Sequence, residues 1–127
     1  MKLQDPNASI RLNQDGLKKF LGDLECEIME IVWQRGGPYV TVREVYDVVK
    51  LRRNIAYTTV MTTMNRLYEK EMLKLVGKTG LANCFVPSVS KDKFIKNSCE
   101  IILKVVYRDF NREFNDFLDK QKAKKKR

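Results

Sequence analysis

Residues 55–76 have the sequence IAYTTVMTTMNRLYEKEMLKLV, and this segment carries the strongest structural signal in the chain. Its apolar residues Val60, Met64 and Leu67 recur at the spacing of an α-helix, where they form one stripe that a core buries. Polar residues fall on the other side of the same helix. We therefore predict a helix with one face on the core of a domain and the opposite face towards a partner.

The polar face is rich in threonine, a poor helix former because branching at Cβ restricts the side chain and the hydroxyl competes for backbone hydrogen bonds. Residues that break a local rule often mark a functional site. Short hydroxyl and amide groups beside an arginine suit a recognition helix in the DNA major groove. The candidate DNA-contacting residues of this helix are Thr58, Thr59, Met61, Thr62, Asn65 and Arg66. The alternative interpretation is a solvated face in which the threonines are incidental.

The composition suits one domain with an appended element, since the chain has 127 residues of which 43% are hydrophobic. The net charge of +9 indicates a polyanionic partner or an anionic surface. Residues 120–127, KQKAKKKR, hold six of the positive charges and none of the negative ones, so most of the excess is a basic tail. This tail is a solubilising segment, a nonspecific DNA-binding arm or a cloning remnant.

The sequence lacks the residues that several classes of protein function require. The chain has no histidine, the commonest general base and metal ligand. The cysteines Cys26, Cys84 and Cys99 form no CxxC pair, fit a reducing cytosol and are predicted to be small buried apolar residues. We find no Gly-rich phosphate loop and no paired carboxylates of an active site. We therefore predict no enzyme activity, no cofactor and no metal site.

The sequence also shows no targeting signal. No run approaches the roughly 18 consecutive apolar residues of a membrane span, and the first residues, MKLQDPNASIRLNQDG, contain no apolar segment. We expect a cytoplasmic protein without a membrane partner.

Local signals divide the rest of the chain. Residues 1–20 are polar and predict a flexible N-terminal arm that becomes ordered near its end. Asp23 is the predicted N-cap of a first helix, which Gly36 stops. Thr41 and Glu44 form a capping box for a second helix. The third helix is the threonine-rich one.

Two short apolar-leaning runs follow, residues 73–77 and 84–86, around a connection that contains Gly77 and Gly80. They predict a β-hairpin with an exposed tip. Three helices and a hairpin in this order predict a winged helix-turn-helix over residues 21–89. The fold class is thus mainly α with a small β-hairpin.

Basic residues flank the predicted recognition helix. They suit phosphate because they lie beside a helix N-terminus or on the wing, and such contacts position a protein without reading sequence. A solvated surface carries cations too. The candidate phosphate contacts are Arg52, Arg53, Lys74 and Lys78.

The C-terminal part is predicted to be a dimerisation helix over residues 90–119. Its apolar residues share one arc of the helix, and a stripe that extends past a small domain is expected to be buried against a second chain. These residues are Cys99, Leu103, Val106, Phe110, Phe114 and Phe117. A two-fold dimer would place two recognition helices about 34 to 36 Å apart. The alternative is a helix that folds back on its own domain.

The segments LGDLECEIMEIVW, VREVYDVV, AYTTVMTTMNRLYEKEML and CFVPSVSKDKF resemble the penicillinase-repressor family, which includes methicillin-resistance and copper-responsive repressors. The resemblance runs over about residues 21–94. It implies a bacterial repressor that binds as a homodimer to an inverted-repeat operator through residues 56–70. By position, Thr58, Thr59, Met61 and Thr62 match the family's base-reading residues, while Arg66 and Leu67 match a more structural pair. Met61 stands where some relatives have a polar residue, so apolar contact with a thymine methyl is expected there.

The resemblance weakens towards the C-terminus. The glycine-containing loop expected after Tyr107 is replaced by residues 108–110. Asn115 is followed by Asp116 and then Phe117, so the Asn-Phe cleavage site of the penicillinase branch is not transferred. The chain lacks the terminal CxC cluster of the copper branch, which disfavours copper sensing. The sensor or protease partner and the inducing signal are unidentified.

Two other functions use the same fold. A winged helix also serves as a protein-interaction module, in which case the threonine face meets a protein. It also serves as an architectural nucleic-acid binder, which has no preferred sequence. Preference for an inverted repeat separates the repressor from both.

Overall fold

A computed structural model of the protein describes residues 10–126. These residues form one 3-10 helix, five α-helices and one antiparallel β-hairpin. The elements are the 3-10 helix Gly16–Lys19, α1 (Asp23–Arg35), α2 (Val42–Val49), α3 (Tyr57–Glu69), β1 (Leu73–Thr79), β2 (Ala82–Pro87), α4 (Lys91–Asp109) and α5 (Asn111–Lys125). This order confirms the predicted fold class, a mainly α winged helix-turn-helix with a small β-hairpin. The first nine residues of the predicted N-terminal arm and the last residue of the basic tail lie outside the described residues.

The start of α2 follows from a local signal. The Thr41 hydroxyl accepts a hydrogen bond from the Glu44 N–H at 3.2 Å, and the Glu44 carboxylate accepts one from the Thr41 N–H at 3.1 Å. This is the predicted capping box, and it satisfies two backbone donors that a helix start leaves without a partner.

The start of α1 differs from the prediction by one residue. Gly22, not Asp23, is the N-cap, and its N–H donates to the Glu25 carboxylate at 3.0 Å. Asp23 is the first helical residue, where its negative charge still suits the positive end of the helix dipole. Gly36 ends α1 with a φ of 62°, a conformation that favours glycine.

One core joins the three helices and the hairpin. The predicted stripe of Val60, Met64 and Leu67 is fully buried. The chain just before α2 pairs with the hairpin, because Val40 and Phe85 exchange two backbone hydrogen bonds of 2.8 Å. Phe85 is itself 2% exposed, so the base of the hairpin is fixed to the core.

The hairpin is longer than its apolar residues indicated. The strands extend to Thr79 and Ala82, which pair with each other, and only Gly80 and Leu81 form the turn. Gly80 has a φ of 61°, as the first position of some two-residue hairpin turns requires. The polar pairs near the tip add strand residues that hydrophobic patterning does not detect.

The predicted single helix over residues 90–119 is wrong in one respect, because it is interrupted at Phe110. This residue has φ −134° and ψ 51°, and it serves as both the C-cap of α4 and the N-cap of α5. Tyr107 and Phe114 pack edge to face across the break, with ring centroids 5.7 Å apart. α5 then continues to Lys125, so most of the predicted basic tail is helical.

A compact group of interactions attaches α4 to α1, which we call the α1–α4 junction. The Trp33 indole N–H donates to the Val89 carbonyl at 3.0 Å. Lys91 pairs with Glu30, with an Nζ–Oε1 distance of 2.9 Å. The ring of Phe94, 4% exposed, lies 5.9 Å from the Trp33 ring. Buried aromatic contact and two polar links therefore fix the direction in which α4 leaves the domain.

Candidate nucleic-acid interface

α3 presents to solvent the polar face that its sequence predicted. Thr58, Thr62 and Asn65 are exposed, whereas the stripe on the opposite side is buried. Thr59 and Arg66 are also exposed, and Met61 is 37% exposed. All six candidates on this helix are therefore accessible to a partner.

The threonine hydroxyls are oriented by the helix itself. Thr62 donates its hydroxyl hydrogen to the Thr58 carbonyl at 2.8 Å. Thr63 makes the same bond to the Thr59 carbonyl, but its side chain is only 6% exposed and faces the domain. Such bonds to the preceding turn satisfy the hydroxyl that would otherwise compete with the helix. They leave the oxygen of Thr62 as an outward hydrogen-bond acceptor beside its methyl group.

An arginine that the sequence did not single out lies next to the start of α3. The guanidinium carbon of Arg43, on α2, is 5.8 Å from the ring centroids of both Tyr46 and Tyr57. The side chain of Arg43 is 67% exposed. Cation–π contact with two rings orients this guanidinium. Sequence reasoning missed Arg43, because only the tertiary fold brings it beside Tyr57 at the start of α3.

The turn before α3 places Arg52 and Arg53 together, as predicted, but neither is a lone charge. Nη2 of Arg53 lies 2.7 Å from the Glu27 carboxylate, and Nη1 of Arg52 lies 3.9 Å from it. Both arginine side chains stay about half exposed, at 46% and 53%. Sequence reasoning missed Glu27, because it lies on α1 and only the tertiary fold brings it to this turn.

The wing carries the two predicted lysines, Lys74 and Lys78, which are both exposed. A hydrogen bond of 3.0 Å between the hydroxyls of Tyr39 and Thr79 links the tip of the wing to the chain after α1. Leu81, in the turn, is 98% exposed. The wing therefore extends from the domain as a braced, basic hairpin.

The other end of α3 carries a second ion pair with α1. Lys70 lies 2.7 Å from Glu25. Burial raises the pKa of Glu25, but the hydrogen bonds from Lys70 and the Gly22 N–H and the positive charges of Lys70 and Arg66 outweigh it and hold the pKa below its ordinary value. The carboxylate form is thus favoured, and it fixes the C-terminal end of α3 to α1.

The predicted dimerisation residues lie on α4, on α5 and at the break between them. Leu103, Val106, Phe110 and Phe117 are 37% to 59% exposed, and Cys99 is exposed. Phe114 is half-buried because its ring packs on Tyr107. The single chain therefore leaves most of this apolar surface without cover.

The description of the penicillinase repressor family matches residues 21–127, most of the chain. The chain belongs to the penicillinase repressor family. The match extends through α4 and α5, beyond the part whose motifs carried the resemblance.

Two curated relatives of this penicillinase repressor family member are called "Transcriptional regulator BlaI", from Mycobacterium tuberculosis strains CDC 1551 / Oshkosh and ATCC 25618 / H37Rv. Each is 37% identical over 75 residues, which make up 59% of this chain and 53% of the relative. The chain thus aligns with about half the length of these relatives.

The cysteines of this family member differ in their surroundings. Cys84 is buried, as predicted, whereas Cys26 is only half-buried, so the prediction is wrong for Cys26. Cys99 is exposed in the single chain, so its predicted burial would require the second chain of the predicted dimer. Burial raises the pKa of the Cys26 thiol, which disfavours its reactive thiolate. Within residues 10–126, no group of three His, Cys, Asp or Glu side chains is arranged to hold a metal ion. None of the helices described there is long and apolar enough to cross a membrane.

Proposed function

We propose that this protein is a sequence-specific transcriptional repressor that binds an inverted-repeat DNA operator as a homodimer. The observation that carries the proposal is the exposed polar face of α3, directly opposite a fully buried stripe, in a member of the penicillinase repressor family. A helix with this division of faces fits the major groove while its other side stays in the core.

Base reading is assigned to the exposed side chains of α3. The oxygen of Thr62 accepts a hydrogen bond from an exocyclic amino group of adenine or cytosine, since its own hydrogen is donated to Thr58. Met61 contacts a thymine methyl group. The Asn65 amide and the Arg66 guanidinium donate hydrogen bonds to acceptor atoms of bases in the major groove.

Phosphate contacts are assigned to the cations around this helix. Arg52 and Arg53 meet the DNA backbone at the start of α3, where the backbone N–H groups of the helix also favour an anion. Lys74 and Lys78 meet it at the wing. Arg43 joins the first pair because its guanidinium is exposed beside the start of α3. These contacts hold α3 in register on the duplex.

Dimerisation is assigned to the exposed apolar residues of α4 and α5. Monomeric proteins rarely expose a contiguous apolar surface of this kind, and a second copy covers it by two-fold symmetry. An operator with two-fold symmetry then receives one α3 in each half-site. The repressor acts in the cytoplasm, with DNA as its ligand and without a cofactor. A sensor or protease that relieves repression is the partner still to be identified.

The experiment selects fragments of the source genome with purified protein, in excess random DNA and at about 0.15 M salt, because nonspecific attraction weakens steeply with salt. We expect enrichment of an inverted repeat, with one dimer per site by sedimentation. Binding without a preferred sequence would favour the architectural binder, and no binding would favour the protein-interaction module.

A further inference from the structure

One carboxylate lies behind both arginines that precede the recognition helix. Oε2 of Glu27 is 2.7 Å from Nη2 of Arg53, and Oε1 is 3.9 Å from Nη1 of Arg52. The Glu27 side chain is only 15% exposed, against 46% and 53% for the arginines. The acid is therefore recessed on α1 and is less accessible than the two guanidinium groups near it.

We propose that Glu27 is a positioning residue for DNA, which holds Arg53 and Arg52 ready to receive a phosphate of the backbone. This inference rests on the proposed function. A guanidinium has five N–H donors in a planar fork, so the bond to Glu27 leaves others free for phosphate. An arginine already held in place loses less side-chain freedom when DNA binds.

A second effect of Glu27 has the opposite sign. Its negative charge repels a phosphate, so replacing it with neutral glutamine would strengthen DNA binding if charge alone mattered. Positioning predicts weaker binding from the same substitution. The recessed location of Glu27 favours positioning, because the two arginines are more accessible to an arriving phosphate than the carboxylate is. The sign of the change in affinity therefore decides the question.

α1 supplies its own control. Asp23, the first residue of the same helix, lies 3.7 Å from Arg11. This pair belongs neither to the turn before α3 nor to the α1–α4 junction. Asp23→Asn therefore removes one negative charge and one ion pair from the same helix without touching Arg52 or Arg53.

The experiment measures operator affinity and thermal unfolding of the full chain and its variants Glu27→Gln and Asp23→Asn, at several salt concentrations around 0.15 M. We expect Glu27→Gln to weaken operator binding about two- to tenfold for each half-site, the effect of ordering one long side chain in each protomer, whereas Asp23→Asn leaves it unchanged. Equal or tighter binding by Glu27→Gln would overturn the proposal. An equal loss in both variants would overturn it as well, because it would indicate a general structural effect.

A double-mutant cycle tests whether Glu27 acts through the two arginines. If it does, adding Glu27→Gln to a variant that carries both Arg52→Gln and Arg53→Gln costs little further affinity; the same loss in both backgrounds would contradict the proposal. If Glu27→Gln does not fold, Glu27→Asp keeps the charge but shortens the reach, and positioning again predicts weaker binding, with unchanged affinity as the contrary result. If the wild-type protein showed no preference for an operator, that result would instead refute the proposed function itself.

Discussion

Replacing Thr62 with alanine tests base reading by α3. The change removes the hydrogen bond of 2.8 Å to the Thr58 carbonyl, worth about 0.5 to 1 kcal/mol net at an exposed site. It also replaces a β-branched residue with the best helix former, which returns about 0.5 kcal/mol. The free energy of unfolding should therefore change by about 0.5 kcal/mol or less, a shift in Tm of no more than about 3 °C.

Operator binding should respond much more strongly. A good direct base contact contributes about 1 to 3 kcal/mol of discrimination, which corresponds to roughly 5- to 150-fold in affinity. A two-fold dimer carries the substitution in both half-sites, so on a symmetric operator the effect per contact is half of the measured change in binding free energy. Affinity for random DNA should stay the same, because Thr62 carries no charge and phosphate contacts dominate nonspecific binding.

The assay is fluorescence anisotropy with labelled operator and with shuffled DNA of equal length, at fixed salt. Thr63→Ala is the matched control, because Thr63 bonds to Thr59 in the same way but is only 6% exposed. It should cost about 1 kcal/mol of stability through poorer packing and leave the operator-to-random ratio unchanged. If Thr62→Ala weakens binding to both DNAs equally, or if Thr63→Ala changes the ratio as much, base reading by Thr62 is refuted.

Three further outcomes are expected. Phe110→Asp, which places a charge on a side chain 59% exposed in the single chain, should dissociate the dimer in sedimentation; the control Asn97→Asp should not, and an unchanged oligomer would contradict the assigned surface. Glu25→Gln should lower the free energy of unfolding by about 1 kcal/mol at pH 7. Because the pKa of Glu25 lies below its ordinary 4.5, this difference between the two proteins should disappear as the pH falls through that lowered pKa. A difference that persists in thermal unfolding at pH 2 would contradict the prediction. Removing residues 120–127 should flatten the dependence of log affinity on log salt by about 0.9 for each phosphate that this segment neutralises, and an unchanged slope would exclude a DNA-binding role for the basic segment.

Local signals predicted the helices of the domain well. The pair Thr41 and Glu44 specifies its own capping box, and the buried stripe of α3 follows from spacing alone, because both depend on residues within two turns of each other. Gly22 rather than Asp23 is the N-cap because the Glu25 carboxylate accepts a hydrogen bond from the Gly22 N–H. The N-cap preferences of single residues do not resolve this competition between neighbours.

Two features needed the fold. The break at Phe110 was missed because Val106, Phe110 and Phe114 keep helical spacing through it, while the packing of Tyr107 on Phe114 that spans it depends on the path of the chain. The partners of the candidate DNA-contacting arginines were missed for the same reason, since 26 residues separate Glu27 from Arg53. Sequence spacing identifies which side chains share a helix face, but tertiary contacts decide which charges meet.

The α1–α4 junction affects the distance between the two recognition helices of a dimer. α4 has 19 residues and so extends about 28 Å from the bonds of Trp33 and Lys91. A rotation of about 10° at its base would displace its far end by about 5 Å, roughly the rise of one helical turn. Because α1 packs on both α3 and the start of α4, the spacing of two recognition helices in a dimer depends on side chains that never touch DNA. Substitutions at Trp33 should therefore alter the preferred distance between half-sites before they alter the preferred bases.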